Sequence, residues 1–455
     1  MLGKADDKGG SSCHHKSLSV TSLGTIISRK LFGAPVVALL LPLAMLVTPA
    51  AWSYDYPLHD RFVSTVVGTP VGYEADLPDY IPFKKRRIEI FPDRNLPDVL
   101  WYGRELIYSV ALQKRRAPLI FLIAGTGASH NGGKNYNMAR AFYQAGFHVV
   151  SLSSPTLPNF VISASKTGVP GHAEKDAEDI YRVMERVWAT LEHKIEVSSF
   201  NLTGYSLGGF NAAFVSRLDD ERGAFNFRRV LLINPPVSLY NSISLLDRMT
   251  DNIPGGVDNF DKFFEELMSA FTEVYKETDD DLGDDFLLKV YEALDLQNEQ
   301  LAALIGASFR LTSASLVFTS DVMVDYGYIK PKGLVLDRHS DLTTYNAVAN
   351  RLGFTDFYHR FFYPYYKQEY PDKSRDEIIE SISLRKITDY LRDSDKITVM
   401  HNADDVILEP GEIDFFADTF GSRAKIYSYG GHCGNINHRD NVAHMVATFT
   451  EGGSL

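Results

Sequence analysis

The stretch that constrains this chain most is residues 200–210 (FNLTGYSLGGF), which hold one G-x-S-x-G centred on Ser206. At ordinary glycine and serine usage such a pattern arises by chance about 0.15 times in a chain of this length, so alone it only suggests a role for Ser206. Context adds the weight. Residues 197–202 alternate and end apolar like a buried strand, and residues 207–218 carry Phe210, Phe214 and Leu218 at helical spacing. A strand running in and a helix running out make a sharp turn that lifts the serine hydroxyl above a sheet edge. Glycines on either side of Ser206 leave room for that turn and for close helix packing. Ser206 therefore reads as a nucleophile, against the plainer reading of a turn serine.

The rest of the chain supplies a sheet for this turn. From Pro118 onward the pattern runs strand (119–124), Gly125-Thr126-Gly127, helix (137–145) and strand (148–152). A long helix over 175–193 follows, with Ile180, Val183, Met184, Val187, Trp188 and Leu191 on one face, and after the nucleophile strand and its helix comes a strand at 229–233. Such alternation predicts a parallel sheet wound on both faces. Upstream, 87–91 and 106–112 alternate like antiparallel edge strands, and 54–82 reads as an irregular arm.

After Asn234-Pro235-Pro236 the strand rhythm lapses for about 160 residues, too long for a loop, and amphipathic helices are predicted over 258–275, 284–304 and 376–392. Within this folded insertion, residues 354–370 hold four Phe and five Tyr, suited either to packing or to lining an apolar pocket. The rhythm then returns with a strand at 396–401, the turn Asn402-Ala403-Asp404-Asp405, a helix at 410–420, a strand at 424–429, Gly430-Gly431-His432-Cys433-Gly434 and a helix at 439–449.

A serine hydroxyl is a weak nucleophile at neutral pH and needs a base in hydrogen-bond reach, itself oriented by a carboxylate. Asp405 and His432 each lie on a loop following a strand, and in a parallel sheet those loops emerge at the same edge as the Ser206 turn. His438 is the alternative base. His130, His148 and His172 follow no suitable strand and read as structural or surface residues. Cys433 beside His432 lacks the turn that presents Ser206, and reads as a buried thiol.

In its Ser, Asp, His order the chain resembles the α/β-hydrolase superfamily over about residues 85–240 and 395–452. The matching motifs are Gly204-Tyr205-Ser206-Leu207-Gly208, Ala403-Asp404-Asp405 and Gly430-Gly431-His432. The resemblance implies an α/β fold with a mostly parallel, doubly wound sheet and a large helical cap inserted after the sixth core strand. It divides the chain into a core at 54–238 and 395–455, a cap at 239–394 and an N-terminal segment at 1–53. Asp405 is favoured over Asp404 as the triad acid, because Leu408 three positions on matches the usual spacing. Where the family usually has His-Gly, this chain has Ala124-Gly125-Thr126, so the implied oxyanion donors are the backbone N–H groups of Thr126 and Leu207, with the Thr126 hydroxyl as an added donor. The implied reaction is cleavage of a carboxyl ester or thioester with an apolar acyl part, through an acyl-enzyme. Acyl transfer to an alcohol and non-catalytic lipid or partner binding on the same fold are the rival readings.

Charge and composition narrow the partners. A net charge of −12 disfavours nucleic acid or an anionic membrane surface as the main partner, leaving a small-molecule or lipid ester. No cofactor motif and no zinc spacing occur, and the acidic cluster 279–285 lacks calcium-loop spacing, so no cofactor or metal is expected. Arg29-Lys30, the apolar run 31–47 and Ala51-Trp52-Ser53 resemble an export signal, with Pro35 and Pro42 inside a run short for a stable span. The expected location is exported, periplasmic or secreted, with cleavage favoured over anchoring through 31–47 and membrane contact only through this segment. Cleavage would remove Cys13 and leave Cys433 without an intrachain disulfide partner.

Overall fold

The computed structural model describes residues 54–277 and 286–450; the predicted export segment and the acidic cluster 279–285 lie outside the described residues. Eight strands form one sheet: β1 (Lys84–Ile88), β2 (Leu106–Ala111), β3 (Ala117–Ile123), β4 (His148–Leu152), β5 (Val197–Tyr205), β6 (Arg229–Ile233), β7 (Ile397–Asn402) and β8 (Ala424–Tyr427). Their spatial order is β1-β2-β4-β3-β5-β6-β7-β8. Pairings from β4 to β8 are parallel, while β1 and β2 are antiparallel at one edge.

The residue types explain this arrangement. Strands β4, β6 and β7 are almost wholly buried, with apolar residues dominating β4 and β6, as a sheet covered on both faces requires. In β3, Leu119, Phe121 and Ile123 join one core, and Ile120 and Leu122 the other. The first core packs the helices Ala173–Leu191, Leu207–Arg222 and Glu412–Phe420; the second packs Gly133–Gln144 and Arg439–Phe449. The edge strand β1 carries four exposed cations, Lys84 to Arg87, which blunt an otherwise open hydrogen-bonding edge. It starts three residues earlier than the predicted 87–91, because Ile90 and Phe91 leave the ladder to pack on the first core.

Chain direction across the sheet reverses between β3 and β5, so the loops leaving those neighbouring strands flank the crevice where open α/β sheets bind ligands. Two of the predicted helices in the insertion prove to be broken. Residues 284–304 split into Phe286–Leu294 and Asn298–Val324, because Asp295 turns left-handed (φ 46°) and Gln297 and Gln300 cap the second helix reciprocally. Residues 376–392 break at Ser383, whose hydroxyl caps the turn Leu384–Ile387. Ser383 also pairs with Ser238, and Leu384 N–H donates to Val237 O at 2.8 Å, so the end of the insertion is stitched to its beginning.

By length and composition, Asn298–Val324 is the one helix among the described residues able to cross a membrane, yet 67% of its most apolar stretch is buried within the protein. It is the central helix of the insertion. The aromatic stretch wraps around it as Phe354–Phe357, a π-turn Tyr358–Phe362 and Tyr363–Glu369. The wide turn lies just ahead of Pro364, which has no N–H to continue a regular ladder.

The sheet closes most tightly at two glycines. A Cβ on Gly208 would lie 2.1 Å from Ile123 O, and one on Gly204 would lie 2.4 Å from the Gly208 carbonyl. Gly208→Ala is therefore expected to lose about 2 kcal/mol or more in urea unfolding, whereas Gly133→Ala, in open space, should stay within about 1 kcal/mol of the parent. Equal stabilities would contradict this packing.

Candidate active site

Strand β5 runs three residues further than predicted, to Tyr205, and Ser206 follows at φ 55° and ψ −127°. That is an unfavourable conformation for a residue with a side chain, typically costing about 1–3 kcal/mol, and the surroundings impose it. Ser206 N–H donates to Ile233 O in β6 at 2.8 Å while the helix Leu207–Arg222 begins at once, so the backbone must turn sharply between two fixed elements. The serine side chain projects above the sheet edge as a result.

Three of the residues predicted from sequence converge there. Ser206 Oγ lies 2.8 Å from His432 Nε2, and His432 Nδ1 lies 3.0 Å from both carboxylate oxygens of Asp405. All three are nearly buried: Ser206 is 7% exposed, His432 8% and Asp405 4%. Asp404 does different work, accepting Gly431 N–H at 2.9 Å and Gly430 N–H at 3.3 Å, and so shaping the loop that carries His432. Burial alone would push the Asp405 carboxyl up. The charge and hydrogen bond of His432, the nearby His401 and the Ile407 N–H outweigh burial, and Asp405 lies below its ordinary value of 3.8.

The predicted oxyanion donors frame the same spot. A Cβ on Gly125 would come within 3.1 Å of Ser206 Cβ, so the loop after β3 lies against the serine. Gly127 N–H is committed to Thr156 Oγ1 at 2.8 Å, whereas the Thr126 N–H makes no hydrogen bond among the described residues. Leu207 is the first residue of its helix, where N–H groups have no intrahelical partner and the helix dipole favours negative charge. Thr126 and Leu207 both border an apolar pocket, partly open to solvent. Its far wall is Leu316, Phe354, Phe357, Tyr358 and Phe362, so the aromatic stretch both packs the insertion and lines the pocket.

The other candidates lie elsewhere. His438 caps the last helix and contacts Asp55 at 3.1 Å. His130 bonds Ser109, His148 bonds the Gln113 N–H, and His172 packs on Tyr366. Burial pushes the Cys433 thiol up, away from the thiolate a nucleophile needs. Asp55, His438 and Asp440 bring potential metal-ligating atoms within 4.8 Å of one another, but Arg439 already pairs with Asp55.

Sequence reasoning missed the supporting residues. Asn234 Nδ2 donates to Asp405 Oδ2 at 2.9 Å, and His401, kept below its ordinary value by burial, lies 3.8 Å from the same oxygen. Asn234 directly follows β6 and His401 is the penultimate residue of β7, both at the sheet edge where Ser206 sits, and that position was the available signal. Asn402 Nδ2 holds Gly431 O at 2.8 Å and Asn435 Oδ1 at 2.9 Å, a tie across loops that no local pattern announces.

If Asp405 orients His432, Asp405→Asn should lower kcat by about 10³- to 10⁴-fold, with Asp404→Asn far milder. The depressed Asp405 carboxyl contributes stability that is fully present above 3.8 and is lost as pH falls through its lower folded value. Thermal unfolding from pH 7 to 3 should therefore show a shallower acid limb for Asp405→Asn than for the parent. The reverse ranking of the two aspartates would overturn the assignment.

No protein-family model and no curated protein matches the chain. Among solved structures it is similar to a hydrolase from Legionella pneumophila, at 12% identity and a TM-score of 0.43, covering 87% of this chain and 97% of that one. It is also similar to an esterase from Pyrococcus furiosus (9% identity, TM-score 0.40, 82% and 94% covered) and to a bacterial membrane phospholipase A (14%, 0.40, 80% and 85%). These likenesses are loose. By its own strand order, by the turn between β5 and its helix and by the loops that meet there, the chain has the α/β-hydrolase fold.

Proposed function

We propose that this protein is a serine hydrolase that cleaves a carboxyl ester or thioester with an apolar acyl part. One observation carries the reading: the Ser206–His432–Asp405 chain of contacts, at 2.8 and 3.0 Å, stands beside an apolar pocket. Ser206 Oγ attacks the carbonyl carbon while its proton passes to His432 Nε2, and Asp405 holds the Nδ1–H tautomer and balances the imidazolium. The Thr126 and Leu207 N–H groups face the developing oxyanion. Collapse expels the alcohol or thiol, which takes the proton from His432. Water, deprotonated by the same imidazole, then releases the acid and restores Ser206.

The pocket borders supply the substrate class. A chain leaving the carbonyl toward Leu316, Phe354, Phe357 and Phe362 meets almost no polar surface, and each methylene buried there contributes about 0.8 kcal/mol. Transfer to an alcohol acceptor is the second reading, favoured by the burial of Ser206 and His432, which limits water at the acyl-enzyme. The cap at 239–394 would form the pocket wall and the core at 54–238 and 395–455 the catalytic edge. Residues 1–53 are proposed to direct export and to be cleaved; the mature exported protein should then begin at Tyr54 by intact mass, and a chain still carrying residues 1–53 would contradict this.

Across p-nitrophenyl esters from acetate to decanoate, kcat/KM should rise with each added methylene until the pocket is filled, and Phe357→Asp should abolish the rise. Ser206→Ala should remove turnover of every ester. A flat series, or turnover that survives Ser206→Ala, would refute the reading. Added butanol would divert product to butyl esters if transfer dominates.

A further inference from the structure

The loop that carries His432 has little regular structure to hold it. Gly430, Gly431 and Cys433 take φ values of 145°, 52° and 60°, outside any strand or helix. Two of its N–H groups go to Asp404, in the loop after β7, and one of its carbonyls accepts from Asn402, the last residue of β7. On the opposite side it rests on residues 54–74, the arm that the sequence marks only as irregular.

Contact between arm and loop runs through the backbone. The helix Arg61–Val67, capped by Asp60, lies so near that a Cβ on Gly431 would fall 2.3 Å from Arg61 O and one on Gly434 would fall 1.9 Å from Ser64 O. His432 N–H itself donates to Thr65 Oγ1 at 2.8 Å, and that hydroxyl donates onward to Arg61 O at 2.6 Å. Thr69 Oγ1 donates to Gly434 O at 2.9 Å, and Tyr54 Oη accepts from Asn435 Nδ2 at 2.7 Å. The other flank of the helix meets the insertion, with Phe62 and Val66 packed on Leu246, Met249, Ala302 and Ile305. The arm is thus wedged between the helices that wall the pocket and the loop that bears the imidazole.

We infer that the N-terminal arm belongs to the active site and that Thr65 is a positioning residue for His432. The inference rests on the reading of His432 as the base. Thr65 touches no reacting atom. It fixes the backbone from which the imidazole projects, and a 2.8 Å contact to Ser206 tolerates little drift, since an ångström of misplacement can cost on the order of 10²-fold in rate. The valine isostere keeps the shape of Thr65 but leaves the His432 N–H unpaired, whereas serine keeps the acceptor.

The test is the rate at which a fluorophosphonate labels Ser206 as a function of pH, in the full mature chain, for the parent, Thr65→Val, Thr65→Ser and Tyr54→Phe, with thermal unfolding measured on each. Thr65→Val should label on the order of 10- to 100-fold more slowly with an altered pH profile, and Thr65→Ser should return most of the loss. Tyr54→Phe, which removes an acceptor from Asn435 at the end of the loop and a 3.3 Å donor to Asn441 Oδ1, should slow labelling in the same direction and provides the comparison if Thr65→Val fails to fold. Labelling of the parent with unchanged rate and pH profile in Tyr54→Phe and in folded Thr65→Val would overturn the role of the arm while leaving the hydrolase reading intact. A parent that does not label at Ser206 would overturn both.

Discussion

The site depends on one hydrogen bond, Ser206 Oγ to His432 Nε2 at 2.8 Å, between residues 226 apart in the chain. No local structure can make it. It exists because β5 and β8 run parallel in one sheet and release their loops at the same edge, with β6 and β7 between them. Burial then raises the stakes: with Ser206 and His432 nearly closed off from water, the contact is electrostatically stronger, and an unpaired partner would be costly. Asp405 meets that demand at the imidazole's far side, and Asn234 and the Ile407 N–H satisfy the carboxylate in turn.

What could be read from the sequence divides along this line. The strands β3 to β8 and the helix after Ser206 follow from apolar periodicity, which is local, and their parallel order follows from alternation with helices. Asp405, His432 and Ser206 were legible because each falls just past the C-terminal end of a strand, where a parallel sheet gathers its loops. Interactions made across loops were not legible. Thr65 and the Asn402–Asn435 pair have no spacing that marks them, and only the folded chain brings Thr65 to the His432 N–H. In the insertion, periodicity located helices but missed their breaks at Asp295 and Ser383, where a left-handed residue and a side-chain cap override a continuous amphipathic pattern.

The insertion and the arm share a physical role. Both meet the proposed catalytic edge from outside the sheet, the insertion with Phe354, Phe357, Tyr358 and Phe362 lining the pocket that Thr126 and Leu207 border, the arm with Thr65 hydrogen-bonded to the His432 N–H. Helix Asn298–Val324 joins them, since its Ala302 and Ile305 meet Phe62 and Val66 while Leu316, further along, borders the pocket. Hydrophobic length, which suits this helix to a membrane by composition, serves here to bury a long element within the insertion.

The most direct test of the central claim is to treat the mature protein with a fluorophosphonate and map the adduct by mass spectrometry in the parent and in His432→Ala. An activated serine predicts one adduct, on Ser206, that disappears when the imidazole is removed. An adduct on another residue, or none on the folded parent, would contradict the account and leave the fold as a scaffold for binding alone.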